Sequence, residues 1–240
     1  MRHTVLKNKG ATKIIAHRGA SGLERENTHS AFVAAGNLSY FGAECDIHVT
    51  SDGKFIVYHD DDTGRLCDKK VVVEDTAFDE LRSLKIKETD GEGFSDYHKM
   101  PTLKEYLGIL KRYGKVAVIE LKNAMKTEDI ARIIVICKEN YSLDKIIFIS
   151  FDYQNLLKVR EILPAQPVQF LTGEYSDDLP ERLKKDKFDL DVGFWSLSKE
   201  RVDILRKNGI KVNCWTCDDK DKADELISWG VDFITSNILE

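Results

Sequence analysis

A chain of 240 residues with 42% hydrophobic content is long enough to bury a large core, and suits one α/β barrel or two small domains. Its net charge of −5, with acidic and basic residues interspersed, removes the electrostatic ground for a nucleic-acid partner; a small anionic substrate would need a local cationic site. Five cysteines at positions without disulfide-framework spacing, an N-terminus without an apolar segment of secretory length, and no run long enough to span a membrane together predict a soluble, cytoplasmic protein.

In chain order, the first strand-like run covers 13–17 and ends in His17-Arg18-Gly19, where a polar loop begins. A helix is expected over 28–38, then a strand over 43–48 that carries Glu44 and Asp46 two residues apart and so on one face. Ser51-Asp52-Gly53 reads as a hairpin turn returning into an extra strand over 55–58, which delivers His59. From about 60 to 100 the chain makes an excursion in which only 76–84 is helix-like, and a long connection of this kind is expected over the site-bearing face. Thr102-Leu103-Lys104-Glu105 resembles a capping box after Pro101 and opens a helix over 102–113.

Strands then fall at 116–121, 146–150, 168–171, 189–193, 211–215 and 232–235, alternating with helices at 126–139, 153–163, 178–185, 199–207 and 219–229. Gly114, Gly209 and Gly230 end helices just before strands. Eight such strands predict a (β/α)8 TIM barrel with a small hairpin and loop excursion after strand 2, and with no Pro/Gly/Ser linker residues 1–240 read as one domain.

The charged candidates cluster at carboxyl ends of predicted strands: His17 and Arg18, Glu44 and Asp46, Glu120 and Lys122, with Ser150 and Trp215. A strand covered by helices should be apolar, so Ile119-Glu120-Leu121-Lys122 holds charges that packing alone would not place there; a local ion pair is the plain alternative. Three carboxylates at one barrel mouth would repel unless a cation were present, and oxygen ligands favour Mg²⁺ or Ca²⁺. Glu44, Asp46 and Glu120 are the expected ligands. His17 and His59 suit acid and base roles, because imidazole titrates near working pH. Arg18 and Lys122 can grip a phosphate. This inventory points to metal-assisted phosphodiester cleavage. Asn27 could donate to substrate, support His17, or simply start a helix; His48 shares the carboxylate face and could support the pocket. His3, His29 and His98 read as surface or packing residues, and Cys214-Trp215-Thr216-Cys217 as a strand end with two thiols rather than a zinc or redox motif.

Over nearly its whole length the chain resembles the glycerophosphodiester phosphodiesterases, phosphatidylinositol-phospholipase-like TIM barrels. The resemblance rests on His17-Arg18-Gly19, Glu26-Asn27-Thr28, Glu44-x-Asp46, Thr50-x-Asp52-Gly53, His59-Asp60 with Arg65, Pro101-Thr102-Leu103, Glu120-x-Lys122, Ser150-Phe151 and Trp215-Thr216, in that order and at those intervals. It implies hydrolysis of a glycerophosphodiester to glycerol 3-phosphate and an alcohol. It also implies His17 and His59 as general acid and base, a cation on Glu44, Asp46 and Glu120, phosphate on Arg18 and Lys122, and glycerol packed on Trp215. The implied route is attack by the glycerol 2-hydroxyl, giving a cyclic phosphate that water opens.

Two departures follow. Thr63 stands where the family has an apolar residue, which leaves the excursion's conformation open. The sequence given ends soon after Ser236-Asn237, so closure of the barrel falls to the N-terminal segment or a partner subunit. Alternative readings are a lysophospholipase D or phospholipase C acting on lipid, for which Phe94, Tyr97 and Met100 would form the apolar rim, and a non-catalytic barrel that binds a phosphorylated ligand. The head group and the oligomeric state are not legible.

Overall fold

The structure, a computed structural model, describes residues 5–240; His3 lies outside them. Nine strands, β1 (Lys13–Ala16), β2 (Gly42–Val49), β3 (Phe55–Val57), β4 (Val116–Leu121), β5 (Ile146–Ser150), β6 (Val168–Thr172), β7 (Asp189–Gly193), β8 (Val212–Trp215) and β9 (Phe233–Ser236), form one sheet. Eight of them pair in parallel and close on themselves, because β1 bonds both β9 and β2; β3 is the exception, antiparallel to β2 with Ile47 opposite Val57. The helices are α1 (His29–Asn37), α2 (Phe78–Ser83), α3 (Leu103–Tyr113), α4 (Thr127–Asn140), α5 (Tyr153–Ile162), α6 (Leu179–Asp186), α7 (Lys199–Lys207) and α8 (Lys220–Trp229). This is the (β/α)8 barrel that the sequence pattern predicts, with α2 and β3 belonging to the excursion after the second barrel strand.

Apolar residues on the outer strand face, such as Ala43, Cys45, Ile47, Ala117 and Ile119, pack against helix residues such as Leu107, Ile133 and Val202 in one large cluster. The inward face alternates with these. Its lower part is apolar, with Ile15, Val116, Val118, Ile147 and Phe233, and its upper part carries the buried polar groups Glu44, Asp46, Glu120 and Asp191. Alternation thus directs side chains two residues apart, such as Val118 and Glu120, from packing to chemistry.

The capping box at Thr102 and Glu105 is present, with Thr102 Oγ1 accepting from the Glu105 amide and Glu105 accepting from the Thr102 amide. Among the described residues no helix follows β9. Closure there comes from the β1–β9 pairing, and the N-terminal segment adds Leu6, buried in the core cluster with Leu239 and donating its amide to the Glu240 carbonyl at 2.8 Å.

The excursion has a small core of its own, in which Ile56, Tyr58, Leu66, Val73, Leu81 and Met100 pack together. Thr63 is a structural device of this loop. Its buried hydroxyl donates to the Lys69 carbonyl at 2.6 Å and accepts from the Val71 amide at 2.9 Å, bonds that an apolar residue could not make. Arg25, from the loop after β1, ties the far end down by donating to the carbonyls of Lys87 and Glu88.

Gly19 follows β1 with φ +76°, and a Cβ there would lie 2.7 Å from the Ala31 backbone and side chain of α1. Both the left-handed backbone and the helix contact exclude a larger residue. Gly19→Ala is expected to lower unfolding free energy by about 2 kcal/mol or more, measured by urea denaturation.

Candidate active site

His17, Arg18, Glu44, His59 and Glu120 line one cavity of about 280 Å³ at the carboxyl ends of the strands, together with Ile149, Phe151, Leu171, Asp191, Trp215 and Thr235. A roomier groove of about 580 Å³ between the hairpin and α4 is apolar with Lys54, Lys104 and Arg132 at its edges, and no carboxylate or imidazole lines it. The chemistry belongs to the barrel mouth.

Glu44, Asp46 and Glu120 each offer an oxygen, and these oxygens lie within 4.8 Å of one another. All three residues are buried. Glu44 Oε2 accepts from the Arg18 amide at 2.8 Å, but Glu44 Oε1 and Asp46 Oδ1 have no hydrogen-bond partner among the described residues. Burial and repulsion from Asp46 and Glu120 push the Glu44 carboxyl well above its ordinary range, and burial with Asp46 raises Glu120 to about 7. Asp46 is the anionic member: burial alone would raise it, but Arg18, His59 and Lys122 outweigh that and hold it below the usual value. Orphaned, converging carboxylate oxygens fit a hard divalent cation.

Arg18 and Lys122 flank this triad. Arg18 Nη1 donates to Glu26 at 2.8 Å and its Nε lies 3.7 Å from Asp46 Oδ2; Lys122 Nζ is 3.0 Å from Glu120 and 3.7 Å from Asp46 Oδ1. The local ion pair that the sequence leaves open is therefore present, within a larger cluster. Arg18 has a left-handed backbone, φ 54°, the strained conformation that turns the chain from β1 into the site.

Asn27 also has a left-handed backbone, φ 53°; its amide donates to the Arg18 carbonyl, and its Nδ2 donates to Asp46 Oδ2 at 2.8 Å. It thus steadies Asp46 and not His17, while Thr28 is the residue that caps α1. The partner of His17 is Asn237, which sequence reading does not single out. Asn237 Nδ2 donates to Asp218 Oδ2 at 2.6 Å, so its Oδ1 faces His17 Nδ1 at 2.8 Å and also accepts from Ser21 Oγ. An amide oxygen only accepts, so the His17 proton sits on Nδ1 and Nε2 is left with its lone pair. Burial, then Arg18, lowers the His17 pKa to about 4, which keeps the ring neutral at pH 7.

His59 is oriented differently. Its Nδ1 donates to Asp60 Oδ1 at 2.6 Å, and Asp60 in turn accepts from Arg65, which also clasps Glu26 with two bonds of 2.8 Å. Against its burial, Arg65 and His59 hold the Asp60 carboxyl down to about 2. Burial lowers the His59 pKa, with Asp46 and Asp60 opposing. Buried His48 sits behind it, with Nδ1 2.9 Å from Glu74 and Nε2 3.3 Å from the His59 carbonyl, a supporting place in keeping with its sequence reading.

Two readings fall away here, Ser150 as a site residue and the rim of Phe94, Tyr97 and Met100. Ser150 is occupied by the backbone: its hydroxyl donates to the Leu121 carbonyl at 2.6 Å and accepts from the Asp152 amide. Met100 is buried in the excursion core, and neither Phe94 nor Tyr97 lines the cavity, because the excursion turns its apolar residues inward. The apolar rim is formed instead by Phe151, Trp195 and Trp215. The five cysteines are free and buried, and Cys214 and Cys217 point their sulfurs at separate carbonyls, of Phe233 and Asp219. His29 and His98 lie 3.4 and 3.6 Å from Glu105 and Glu88, away from the cavity lining.

Asn237→Ala is expected to lower kcat about tenfold with KM within a factor of two, because the His17 ring loses its orienting acceptor while Arg18 and Lys122 keep their places. Steady-state kinetics, with circular dichroism to verify folding, checks this.

Residues 17–239 match the Glycerophosphoryl diester phosphodiesterase family. A glycerophosphodiester phosphodiesterase of Caldanaerobacter subterraneus subsp. tengcongensis is 30% identical over 234 residues, spanning 94% of this chain and 94% of its own. A phosphodiesterase of Oleispira antarctica, solved in complex with the product sn-glycerol-3-phosphate, superposes with a TM-score of 0.88 at 27% identity, covering 94% of this chain and 93% of that one. The crystal structure of a glycerophosphodiester phosphodiesterase from Parabacteroides distasonis gives 0.81 at 29% identity, over 96% and 94%. With its barrel, its buried acidic triad and these relatives, the chain belongs to the glycerophosphoryl diester phosphodiesterase family and is a phosphoric diester hydrolase.

Proposed function

We propose that the chain, acting as one domain, hydrolyses small glycerophosphodiesters to glycerol 3-phosphate and an alcohol, with Mg²⁺ or Ca²⁺ on Glu44, Asp46 and Glu120 and with His17 and His59 exchanging protons. The observation that carries this reading is the convergence of His17, His59 and Arg18 on one cavity with the Glu44, Asp46 and Glu120 triad, in which Glu44 Oε1 and Asp46 Oδ1 are orphaned. The glycerol 3-phosphate bound by the Oleispira antarctica relative supports the product. When bound, the divalent cation polarises the phosphoryl group and stabilises charge developing on its oxygens.

The residues divide the work by their partners. His17, neutral and with Nε2 free, takes the proton of the glycerol 2-hydroxyl as that oxygen attacks phosphorus. His59, whose imidazolium the Asp60 carboxylate stabilises, protonates the alcohol oxygen as its bond to phosphorus breaks. The product of that step is a cyclic glycerol phosphate. His59 then takes a proton from the attacking water, and His17 returns its proton to the 2-oxygen as the ring opens. Arg18 and Lys122 balance the phosphate charge, and Trp215 packs against the glycerol.

Free, buried cysteines support a reducing, cytoplasmic location. Among the described residues no helix is long and apolar enough to cross a membrane.

Product identity tests the bond that breaks. Phosphorus NMR of a glycerophosphocholine digest is expected to show glycerol 3-phosphate, with the cyclic phosphate as a transient. Phosphocholine as the phosphorus-bearing product would contradict the proposal.

A further inference from the structure

The loops that follow β5, β6, β7 and β8 form one half of the cavity mouth, and they differ from the catalytic half in both shape and charge. Phe151 and Trp195 stand half exposed or more, at 50% and 58%, on loops otherwise rich in polar residues. Both meet the cavity residue Trp215 edge to face, with ring centroids 5.7 and 5.3 Å away, and Trp195 also meets Phe194 at 5.6 Å. Trp195 is held in this place by its own strand: a Cβ on Gly193 would lie 2.4 Å from the indole, so only glycine lets the ring fold back over the end of β7. A packed, largely exposed tryptophan leaning on a cavity tryptophan is a surface built to be covered.

Charge narrows what covers it. Residues 151–152, 173–178, 194–198 and 216–219, the connections from these strands to α5, α6, α7 and α8, contain Asp152, Glu174, Asp177, Asp178, Asp218 and Asp219 and no lysine, arginine or histidine. The opposite half of the mouth supplies Arg18 and Lys122 beside the acidic triad that would hold the cation. The loops from which the rings project therefore carry a net negative charge of their own.

From this juxtaposition we propose that Phe151, Trp195 and the outer edge of Trp215 form the leaving-alcohol subsite, and that it selects a cationic alcohol, a quaternary ammonium above all. A trimethylammonium group is attracted to aromatic faces, sheds its weak hydration cheaply and needs no hydrogen-bond acceptor, all of which suit these rings. The acidic loops add attraction that a neutral polyol does not feel. The inference rests on the phosphodiesterase reading above and specifies its substrate.

The test compares kcat/KM on glycerophosphocholine and glycerophosphoglycerol for the wild type, Trp195→Ala and Trp195→Phe, with saturating Mg²⁺ or Ca²⁺. The wild type is expected to favour the choline substrate by about tenfold. Trp195→Ala is expected to raise its KM for glycerophosphocholine about three- to tenfold, leave glycerophosphoglycerol within a factor of two, and keep kcat; Trp195→Phe should retain most of the preference. Raising salt should narrow the preference, because the acidic loops are exposed. Equal turnover of the two substrates, or an equal loss on both in Trp195→Ala, overturns the subsite while leaving the phosphodiesterase reading intact. Loss on detergent-dispersed lysophosphatidylglycerol as large as on glycerophosphocholine assigns the rings to an acyl chain and also overturns it. Failure of the wild type on every substrate overturns the reading beneath it.

Discussion

Replacing His17 with alanine is expected to lower kcat on a glycerophosphodiester about a thousandfold while the protein stays folded, because a positioned acid or base contributes roughly 10²–10⁴ in rate. The residue is partly buried and neutral at pH 7, its Nδ1 proton committed to Asn237 and its Nε2 free, so no water fixed in the same place reproduces its basicity. The variant also has a signature in stability. The His17 pKa is about 4 in the folded chain against an ordinary 6.5, so below pH 6.5 the unfolded chain takes up the proton first. The wild type therefore loses stability as pH falls from 6.5 towards 4, by an amount on the order of 3 kcal/mol. His17→Ala should lack that portion of the acid sensitivity. Activity within tenfold of wild type would remove His17 from the chemistry, and an unchanged acid-unfolding profile would contradict its lowered pKa in the folded chain.

The second large effect concerns the cation. Without it, Glu120 titrates near 7 in the folded chain and at its ordinary 4.5 when unfolded, so it stabilises the fold below pH 4.5 and that contribution is lost as pH rises through 7. A divalent cation held by the ionised carboxylates, as proposed, would reverse the penalty. At a hundred times its dissociation constant it should add about 2.7 kcal/mol, and so raise Tm by roughly 5–10 °C for a chain of this size. The shift should be larger at pH 7 than at pH 5. Glu44→Gln, which exchanges one of three anionic donors for a neutral amide, should abolish most of it. Scanning calorimetry with Mg²⁺, with Ca²⁺ and with chelator reads both. A Glu44→Gln protein that keeps the full shift would remove Glu44 from the ligand set.

The barrel was legible because each parallel strand is covered on one face by helices and must be apolar there, so runs such as Ile146–Ser150 stand out and charges at 120 and 122 stand out more. The acidic triad was legible for the same reason, since the spacing of Glu44 and Asp46 fixes a common face. Asn237 was hidden because its partner lies 220 residues away and is brought close only by the β1–β9 pairing. Asn27 keeps several readings in the sequence because its left-handed backbone, which turns its side-chain amide towards Asp46, has no sequence signal. The aromatic rim was sought in the excursion, whose apolar residues instead close a core of their own. Trp195 gave no periodic signal because it sits in a single short turn, Phe194–Ser196, and its place depends on the absence of a side chain at Gly193.

The central claim, cation-dependent release of glycerol 3-phosphate, is tested most directly with chelator-stripped protein. It is incubated with glycerophosphocholine and with glycerophosphoethanolamine, with and without added Mg²⁺ or Ca²⁺, and glycerol 3-phosphate is measured by a coupled assay. The account predicts background turnover in the stripped protein and product restored by the cation. Full turnover without any divalent cation, or none with either from protein shown to be folded, would contradict it.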